Sequence, residues 1–306
     1  MSYHIVTIDS PQCSISCRDG QLKCSTGEGE RSLPIEDVAS IIITSFSAQI
    51  HSQLFLEAAK HGVALIICEA FKPVSLVLPA NRSTDTLLSR AQVSLDERLR
   101  GRLWQMTVDA KCRNQALLAK YLAPDDSAVA ALEGEAASRK AHKEAVCAKL
   151  FWQIFGRGLG EKDFTRERGL PGLNALLNYG YAVLLSTVLQ KLFAVGLDPT
   201  FGISHAPRER STPLAYDLME PFRPCVDWRV AQWIRSETPG ENGWEVTRDF
   251  RKWVTGFPLE RAEYLGLELE IRGCIEGAIR GFRRAVTGAT PRLYKPWTPK
   301  NSKWAG

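Results

Sequence analysis

Residues 164–224 read FTRERGLPGLNALLNYGYAVLLSTVLQKLFAVGLDPTFGISHAPRERSTPLAYDLMEPFRP. Asn174 to Val195 is a nearly unbroken apolar run of helical length, closed by Gly196, a residue that readily adopts the left-handed backbone at a helix end. A helix that is apolar on every side belongs at the centre of a domain. Behind it comes a loop with one histidine, His205, and then an acidic pair three apart, Asp217 and Glu220, which would share one helix face. Pro221 fits a first helical turn, where its missing N–H costs little. Upstream, Glu144 stands on another predicted helix. One imidazole and several carboxylates form a donor set for a divalent cation. Oxygen donors suit Mg2+, and a histidine among them admits Mn2+. By spacing alone the signal is weak, because acidic pairs at this separation are common on helices and a lone loop histidine is usually a surface group.

Outward toward the N-terminus, residues 1–80 read as β-rich. His4–Ile8 alternates like a strand. Cys13–Cys17 and Gln21–Cys24 flank Asp19-Gly20, a turn pair that tolerates positive φ, and so predict a hairpin. Val38–Ile43, Val63–Ile67 and Ser75–Leu78 are further strands, and Ser47–Lys60 has helical spacing up to a stop at His61-Gly62. The polar stretch Ala80–Asp85 reads as a hinge, placed at 81–88, with Ser83 and Asp85 as helix-capping residues. Everything from 89 to 306 reads as one larger helical domain, with helices over Leu95–Leu122, Ala141–Phe155, Asn174–Val195, Leu218–Ser236 and Leu259–Arg284. The expected fold class is therefore α+β, a β-rich N-terminal domain followed by a larger all-helical catalytic domain. Arg98, Arg100, Arg102, Lys111 and Arg113 read as an exposed basic face of the first long helix.

Composition bounds the function. The chain has 306 residues, 44% of them apolar, with 39 basic and 34 acidic side chains and a net charge of +5. That mild excess permits a nucleic-acid partner without requiring one. From Gly277 to Gly306 every charged residue is basic, either a solvated tail or a phosphate-contacting arm. No membrane span and no secretory leader are expected, and the scattered cysteines, with Cys13 and Cys17 in CxxxC spacing, read as reduced cytoplasmic thiols rather than a zinc set. There is no P-loop, no GxGxxG and no GxSxG elbow, which argues against a simple nucleotide-dependent enzyme or a serine hydrolase.

The segments LPIEDVASIIITS (33–45), RAQVSLDERLRGRLWQMTVDAKCRNQALL (90–118), EAVCAKLFWQIFG (144–156), NALLNYGYAVL (174–184), GLDPTFGISH (196–205) and YDLMEPFRP (216–224) stand in an order that resembles the CRISPR-associated integrases of spacer acquisition. The resemblance spans residues 3–235, and block order and length look most like the version found with type II systems. It implies a metal-dependent DNA integrase and nuclease with a glutamate, a histidine and an acidic residue as ligands of Mg2+ or Mn2+. The family's glutamate falls on Glu144, which opens a block with Ala145, Ala148, Phe151 and Trp152; Glu133 and Glu135 imitate it without the downstream aromatic pair. Its histidine falls on His205 and its last ligand on Glu220. Asp217 is then either a water-mediated ligand or an orienter of His205. Arg166, Arg168 and Arg223 are candidate DNA contacts, and Asn174, Asn178 and Tyr179 read as capping and packing residues.

The resemblance further implies transesterification, attack by a 3′-hydroxyl of a spacer duplex on a phosphodiester of the repeat array. It implies a homodimer formed through the β-rich domain and a higher-order complex with CRISPR-associated protein two, and the type II form adds the system's effector nuclease as a partner. Two other readings stay open: a solo transposon-type integrase or nuclease, and a catalytically silent DNA-binding scaffold.

Overall fold

The computed structural model describes residues 4–69, 72–79, 86–140, 142–167, 169–205, 212–241 and 243–299. The expected hinge, Arg168 and the last seven residues lie wholly or largely outside these. The N-terminal region comprises β1 (His4–Ile8), β2 (Ser14–Arg18), β3 (Gln21–Thr26), β4 (Gly29–Pro34), β5 (Val38–Ile43), β6 (Gln49–Ile50), helix α1 (Gln53–Lys60), β7 (Ala64–Glu69) and β8 (Lys72–Val77). One sheet has the order β1-β5-β7-β8, parallel except for the last pair; the other runs β4-β3-β2-β6. The β2–β3 hairpin turns through Asp19 (φ 52°) and Gly20 (φ 72°), as the Asp-Gly pair predicts.

Strand β5 explains how this region is held in place. Successive side chains of a strand point to opposite faces. Ile41 and Ile43 enter a core with Ile15, Cys17, Leu22 and Leu54, whereas Ile42 joins Ile66 and Cys68 against Ala194 and Phe193. A strand buried on both faces reads as an unbroken apolar run, and Ile41-Ile42-Ile43 is one.

The helical region comprises α2 (Thr86–Val93), α3 (Glu97–Leu122), α4 (Ala128–Ala137), α5 (Lys143–Gly158), α6 (Leu173–Ala194), α7 (Pro213–Met219), α8 (Arg223–Ser236), α9 (Arg248–Thr255) and α10 (Ile271–Thr287). Helix α3 is started by Asp96, whose carboxylate accepts from the backbone N–H groups of Arg98 and Leu99 at 3.0 and 3.1 Å. Helix α6 is the central element, with Leu176, Leu177, Leu184, Val188 and Leu192 fully buried. It crosses α8 closely at Gly180, where a Cβ would stand 2.5 Å from Val226 Cγ1, so the glycine is required for the helices to approach. Among the described residues no helix is long and apolar enough to cross a membrane. The eight cysteines are free, and all but Cys24 are buried.

Four expectations need correction. The helix expected over Leu259–Arg284 begins at Ile271; before it lies a hairpin of β9 (Arg261–Tyr264) and β10 (Leu267–Glu270), so the helical region is not purely helical. Leu265 (φ 54°) and Gly266 (φ 86°) form its turn, a two-residue loop that helical periodicity hid. The helix expected over Leu218–Ser236 is interrupted by a 3-10 turn, Glu220–Phe222, because Pro221 cannot donate to the helix ladder. The first helix starts at Gln53 rather than Ser47, behind the short strand β6. Of the two readings of the basic C-terminal stretch, the solvated tail fails up to Trp297. Residues Gly277–Thr287 belong to α10, and Tyr294 and Trp297 are buried, Tyr294 sharing a hydrogen bond with Thr107 Oγ1 at 3.1 Å.

Candidate active site

Helix α3 shows one face to α4, α5 and the Glu220–Phe222 turn. On it Val108, Cys112, Gln115 and Ala119 are buried, and Lys111 falls in the same stripe at helical spacing. Lys111, expected on an exposed basic face, has a side chain only 13% exposed, and its Nζ stands 2.7 Å from Glu144 Oε1 and 2.6 Å from Glu220 Oε2. Glu144 comes from the first turn of α5, where an acidic residue also complements the helix dipole. Glu220 comes from the 3-10 turn, and Arg223 Nε donates to its other oxygen at 2.8 Å. Burial alone would push the Glu220 carboxyl up, but Lys111 and Arg223 outweigh it and hold the group below its usual value.

The turn that carries Glu220 is propped from beneath. Asn114 Nδ2 donates to the carbonyls of Pro221 (2.7 Å) and Trp297 (3.0 Å), and the Trp297 ring stacks on Phe222 with centroids 5.5 Å apart. The C-terminal segment therefore helps to set the position of a candidate ligand.

His205 is placed by its loop. Both oxygens of the fully buried Asp217 are engaged: Oδ2 accepts from the N–H groups of Ile203 (2.6 Å) and Ser204 (3.2 Å), and Oδ1 from His205 N (3.1 Å) and His205 Nδ1 (2.6 Å). The Nδ1 bond leaves Nε2 as the outward nitrogen of a ring whose side chain is 45% exposed. The same bond makes the imidazole more basic than usual despite its partial burial. Trp104 meets the ring edge-on at 6.0 Å, and Tyr216 lies against it at 6.0 Å. Gly202 lets the loop close, since a Cβ there would lie 2.8 Å from Pro213 Cβ, 2.9 Å from His205 O and 3.0 Å from Asp217 Oδ2.

Asp217 and Glu220, expected on one helix face, point to different partners, the His205 loop and the Lys111–Arg223 pair, because the chain leaves the α-helix between them. Glu133 and Glu135 pair with other cations, Glu133 with Lys120 at the surface and the half-buried Glu135 with Lys140. Arg166 and Arg223 converge: their guanidinium carbons lie 5.4 and 4.7 Å from the Tyr181 ring centroid, and with Lys111, Gln115, Trp152 and Tyr181 they line one pocket beside the carboxylates. Asn174 and Asn178 do more than pack, since their side-chain oxygens accept from the two Arg166 terminal nitrogens at 2.8 and 2.7 Å. Arg168 lies outside the described residues.

Sequence reading missed the acid behind this pocket. Asp227 is fully buried, accepts from the Tyr181 hydroxyl, and has its Oδ2 atom without a partner among the described residues. Burial pushes its carboxyl up to about 7, with the Tyr181 bond, Arg223 and Arg166 pulling the other way. From the ordinary value of 3.8 up to about 7 the folded chain therefore keeps a proton that the unfolded chain has released. This group's contribution to stability falls as pH rises through that window. Asp227→Asn keeps an acceptor for Tyr181 and removes the titration. Its melting temperature, measured beside wild type from pH 4 to 8, is expected to gain steadily on wild type up to pH 7 and then to level.

Among the described residues no three His, Cys, Asp or Glu side chains stand together as a formed metal cage. The donor set nonetheless fits a hard divalent cation. Glu144 and Glu220 already share one cation, the Lys111 ammonium, and Glu220 Oε2 is buried and touches it as an ion pair without hydrogen-bond geometry. Two carboxylates and one neutral imidazole nitrogen are ligands Mg2+ or Mn2+ accepts.

The family model described as CRISPR associated protein Cas1 matches residues 6–255. The chain is 34% identical over 221 residues to the CRISPR-associated endonuclease Cas1 of Neisseria meningitidis serogroup C (strain 8013), covering 71% of each. It is 27% identical over 273 residues to that of Korarchaeum cryptofilum (strain OPF8), covering 78% of this chain and 80% of the relative. The fold is similar to a casposase bound to its integration product (TM-score 0.76, 22% identity, 98% of this chain and 100% of the other) and to a Cas1 protein from Thermotoga maritima (TM-score 0.70, 16% identity, 94% and 97%). A partial Cas6-RT-Cas1–Cas2 complex gives a TM-score of 0.76 at 15% identity, over 98% of this chain and 100% of the other.

Proposed function

Because the chain belongs to the CRISPR-associated Cas1 family, we propose that it joins new spacer DNA to a repeat array by metal-dependent transesterification. The observation that carries this reading is the placement of two carboxylates, closed on one cation, beside a pocket lined by Lys111, Arg166 and Arg223, with a histidine oriented by a buried aspartate within electrostatic reach of Glu220. Glu144, Glu220 and His205 Nε2 would hold Mg2+ or Mn2+. The ion supplies Lewis-acid stabilisation of the scissile phosphate and acidifies the attacking hydroxyl.

The chain's own residues do the rest. Arg166 and Arg223 bind phosphate oxygens and fix the strand's register, without reading sequence. Asp217 keeps the His205 proton on Nδ1 and the lone pair on Nε2. The 3′-hydroxyl oxygen of the incoming strand gives up its proton to solvent and forms a bond to phosphorus as the P–O bond to the broken strand's 3′-oxygen breaks, and the departing oxygen takes up a proton from solvent. One phosphodiester replaces another, so no nucleotide cofactor is required. A dimer through the N-terminal sheets and a Cas2 partner complete the proposal; a similar solved structure is a partial Cas6-RT-Cas1–Cas2 complex.

The test is joining of a short duplex to supercoiled DNA carrying a repeat, with and without Cas2. Product is expected with Mn2+ or Mg2+, and none after chelation or with 3′-deoxy ends, while DNA binding persists. Joining that needs no Cas2 and no repeat supports a solo, transposon-type integrase. If the protein binds DNA yet joins nothing under either metal with Cas2 present, the scaffold reading replaces this one.

A further inference from the structure

Lys111 is a charged group of the site to which the transesterification steps assign no role. Its ammonium touches both proposed carboxylate ligands, so it occupies the electrostatic position a divalent ion would take between them. A divalent ion drawn to the same two carboxylates would stand close to the Lys111 ammonium, and the two positive charges repel, so the ion binds Glu144 and Glu220 more favourably once Lys111 has moved away. One helical turn along α3 stands Gln115, 3% exposed, whose Oε1 atom has no hydrogen-bond partner among the described residues. A buried carbonyl oxygen without a donor costs free energy and marks a place where a donor is missing. Residues four apart on a helix are neighbours, and a lysine carries three donors on a flexible four-carbon stem. Lys111 and Gln115 line the same pocket, together with Arg166, Arg223 and Trp152.

We propose that Lys111 is a displaceable counter-ion, which closes Glu144 and Glu220 on each other in the metal-free protein and, when the ion binds, turns along α3 to the Gln115 carbonyl. The proposal rests on the metal-ligand reading above. It has two consequences. In the metal-free state the lysine relieves the repulsion of two close carboxylates, one of them buried, so the site folds before metal arrives. In the loaded state its charge joins Arg166 and Arg223, and the pocket becomes more attractive to a DNA phosphate. Metal and DNA then strengthen each other's binding by the same factor.

The test is calorimetric titration of the intact protein with Mn2+ in the absence of DNA, paired with melting curves with and without the ion, circular dichroism confirming the fold of each variant. Lys111→Gln is expected to bind Mn2+ about tenfold tighter, the scale on which outer-shell partners move metal affinity. It is also expected to melt lower than wild type without metal and to regain the difference with it. Gln115→Leu should move the opposite way, binding Mn2+ more weakly because the displaced lysine has lost its acceptor, while melting no lower than wild type in the metal-free state. Lys111→Gln binding no tighter than a wild type that does bind overturns the counter-ion role alone. Unchanged affinity in Gln115→Leu overturns the displacement to Gln115, and thereby the proposal as stated. If neither wild type nor Lys111→Gln binds Mn2+, the metal-ligand reading fails and this proposal fails with it.

Discussion

Glu220→Gln is expected to abolish strand transfer and also to destabilise the protein, whereas Glu144→Gln abolishes strand transfer at almost no cost in stability. Both changes remove one oxygen charge from the proposed ligand set, so both should stop the chemistry while leaving DNA binding, which rests on many phosphate contacts, nearly intact. Their environments separate them. The Glu144 side chain is 34% exposed and shares Lys111 with a second carboxylate. Losing an ion pair of that kind costs below about 1 kcal/mol. The Glu220 side chain is 4% exposed and faces two cations, Lys111 and Arg223. Neutralising it leaves Arg223 without its carboxylate partner and Lys111 with Glu144 alone, a loss on the order of 3 kcal/mol. The measurements are strand transfer, filter binding of the same duplex and urea denaturation on both variants. Glu133→Gln, which disturbs only a surface pair with Lys120, is the control and should match wild type in all three. A Glu220→Gln protein as stable as Glu144→Gln would mean that Lys111 and Arg223 do not depend on that carboxylate.

The parts of the fold that were legible are those where one periodicity rules a whole element. Asn174–Val195 is apolar on every side, and α6 (Leu173–Ala194) lies where such a helix must. Ile41-Ile42-Ile43 and Asp19-Gly20 likewise carry their structure in a few residues. The failures come where a local signal contradicts the longer pattern. Leu265-Gly266 interrupts what reads as one long helix, and Pro221 turns one expected helix into two joined by a 3-10 turn.

A lysine ordinarily marks a solvated face, which hides the burial of Lys111 from the sequence. Its spacing from Val108, Cys112, Gln115 and Ala119 put it in the buried stripe, and a lysine and a glutamine inside an apolar stripe were the available signal. Asp227 gave a similar signal on α8, lying between the buried Val226 and Trp228. The clamp on Arg166 by Asn174 and Asn178 was not readable, since it joins a loop to a helix through side chains alone. Nor was the support of the Glu220 turn by Asn114 and Trp297, whose partners are 183 residues apart in the chain.

Asp217→Asn is expected to lower metal affinity by about 10- to 100-fold and strand transfer with it, because Asp217 positions a ligand without being one. Its two oxygens face four donors: three backbone N–H groups and the His205 Nδ1–H. A carboxylate can accept all four; an amide offers one oxygen and turns two of its own N–H bonds toward the others. If the asparagine oxygen takes the His205 side, the N–H groups of Ile203 and Ser204 meet an NH2. In the reverse orientation the imidazole loses the acceptor that keeps its proton on Nδ1. Either arrangement leaves buried donors unsatisfied, costing about 1–3 kcal/mol, and loosens the loop that Gly202 allows to close. The outcome discriminates between the two roles considered for this residue. A positioning residue weakens binding without removing a ligand, so raising Mn2+ about 100-fold should restore most of the lost joining in Asp217→Asn. The same excess should restore nothing in Glu144→Gln, where a ligand itself is gone. If Asp217→Asn proves equally beyond rescue while its fold and DNA binding are intact, Asp217 belongs among the ligands, and the hydrogen bonds it makes to the His205 loop must open when the ion binds.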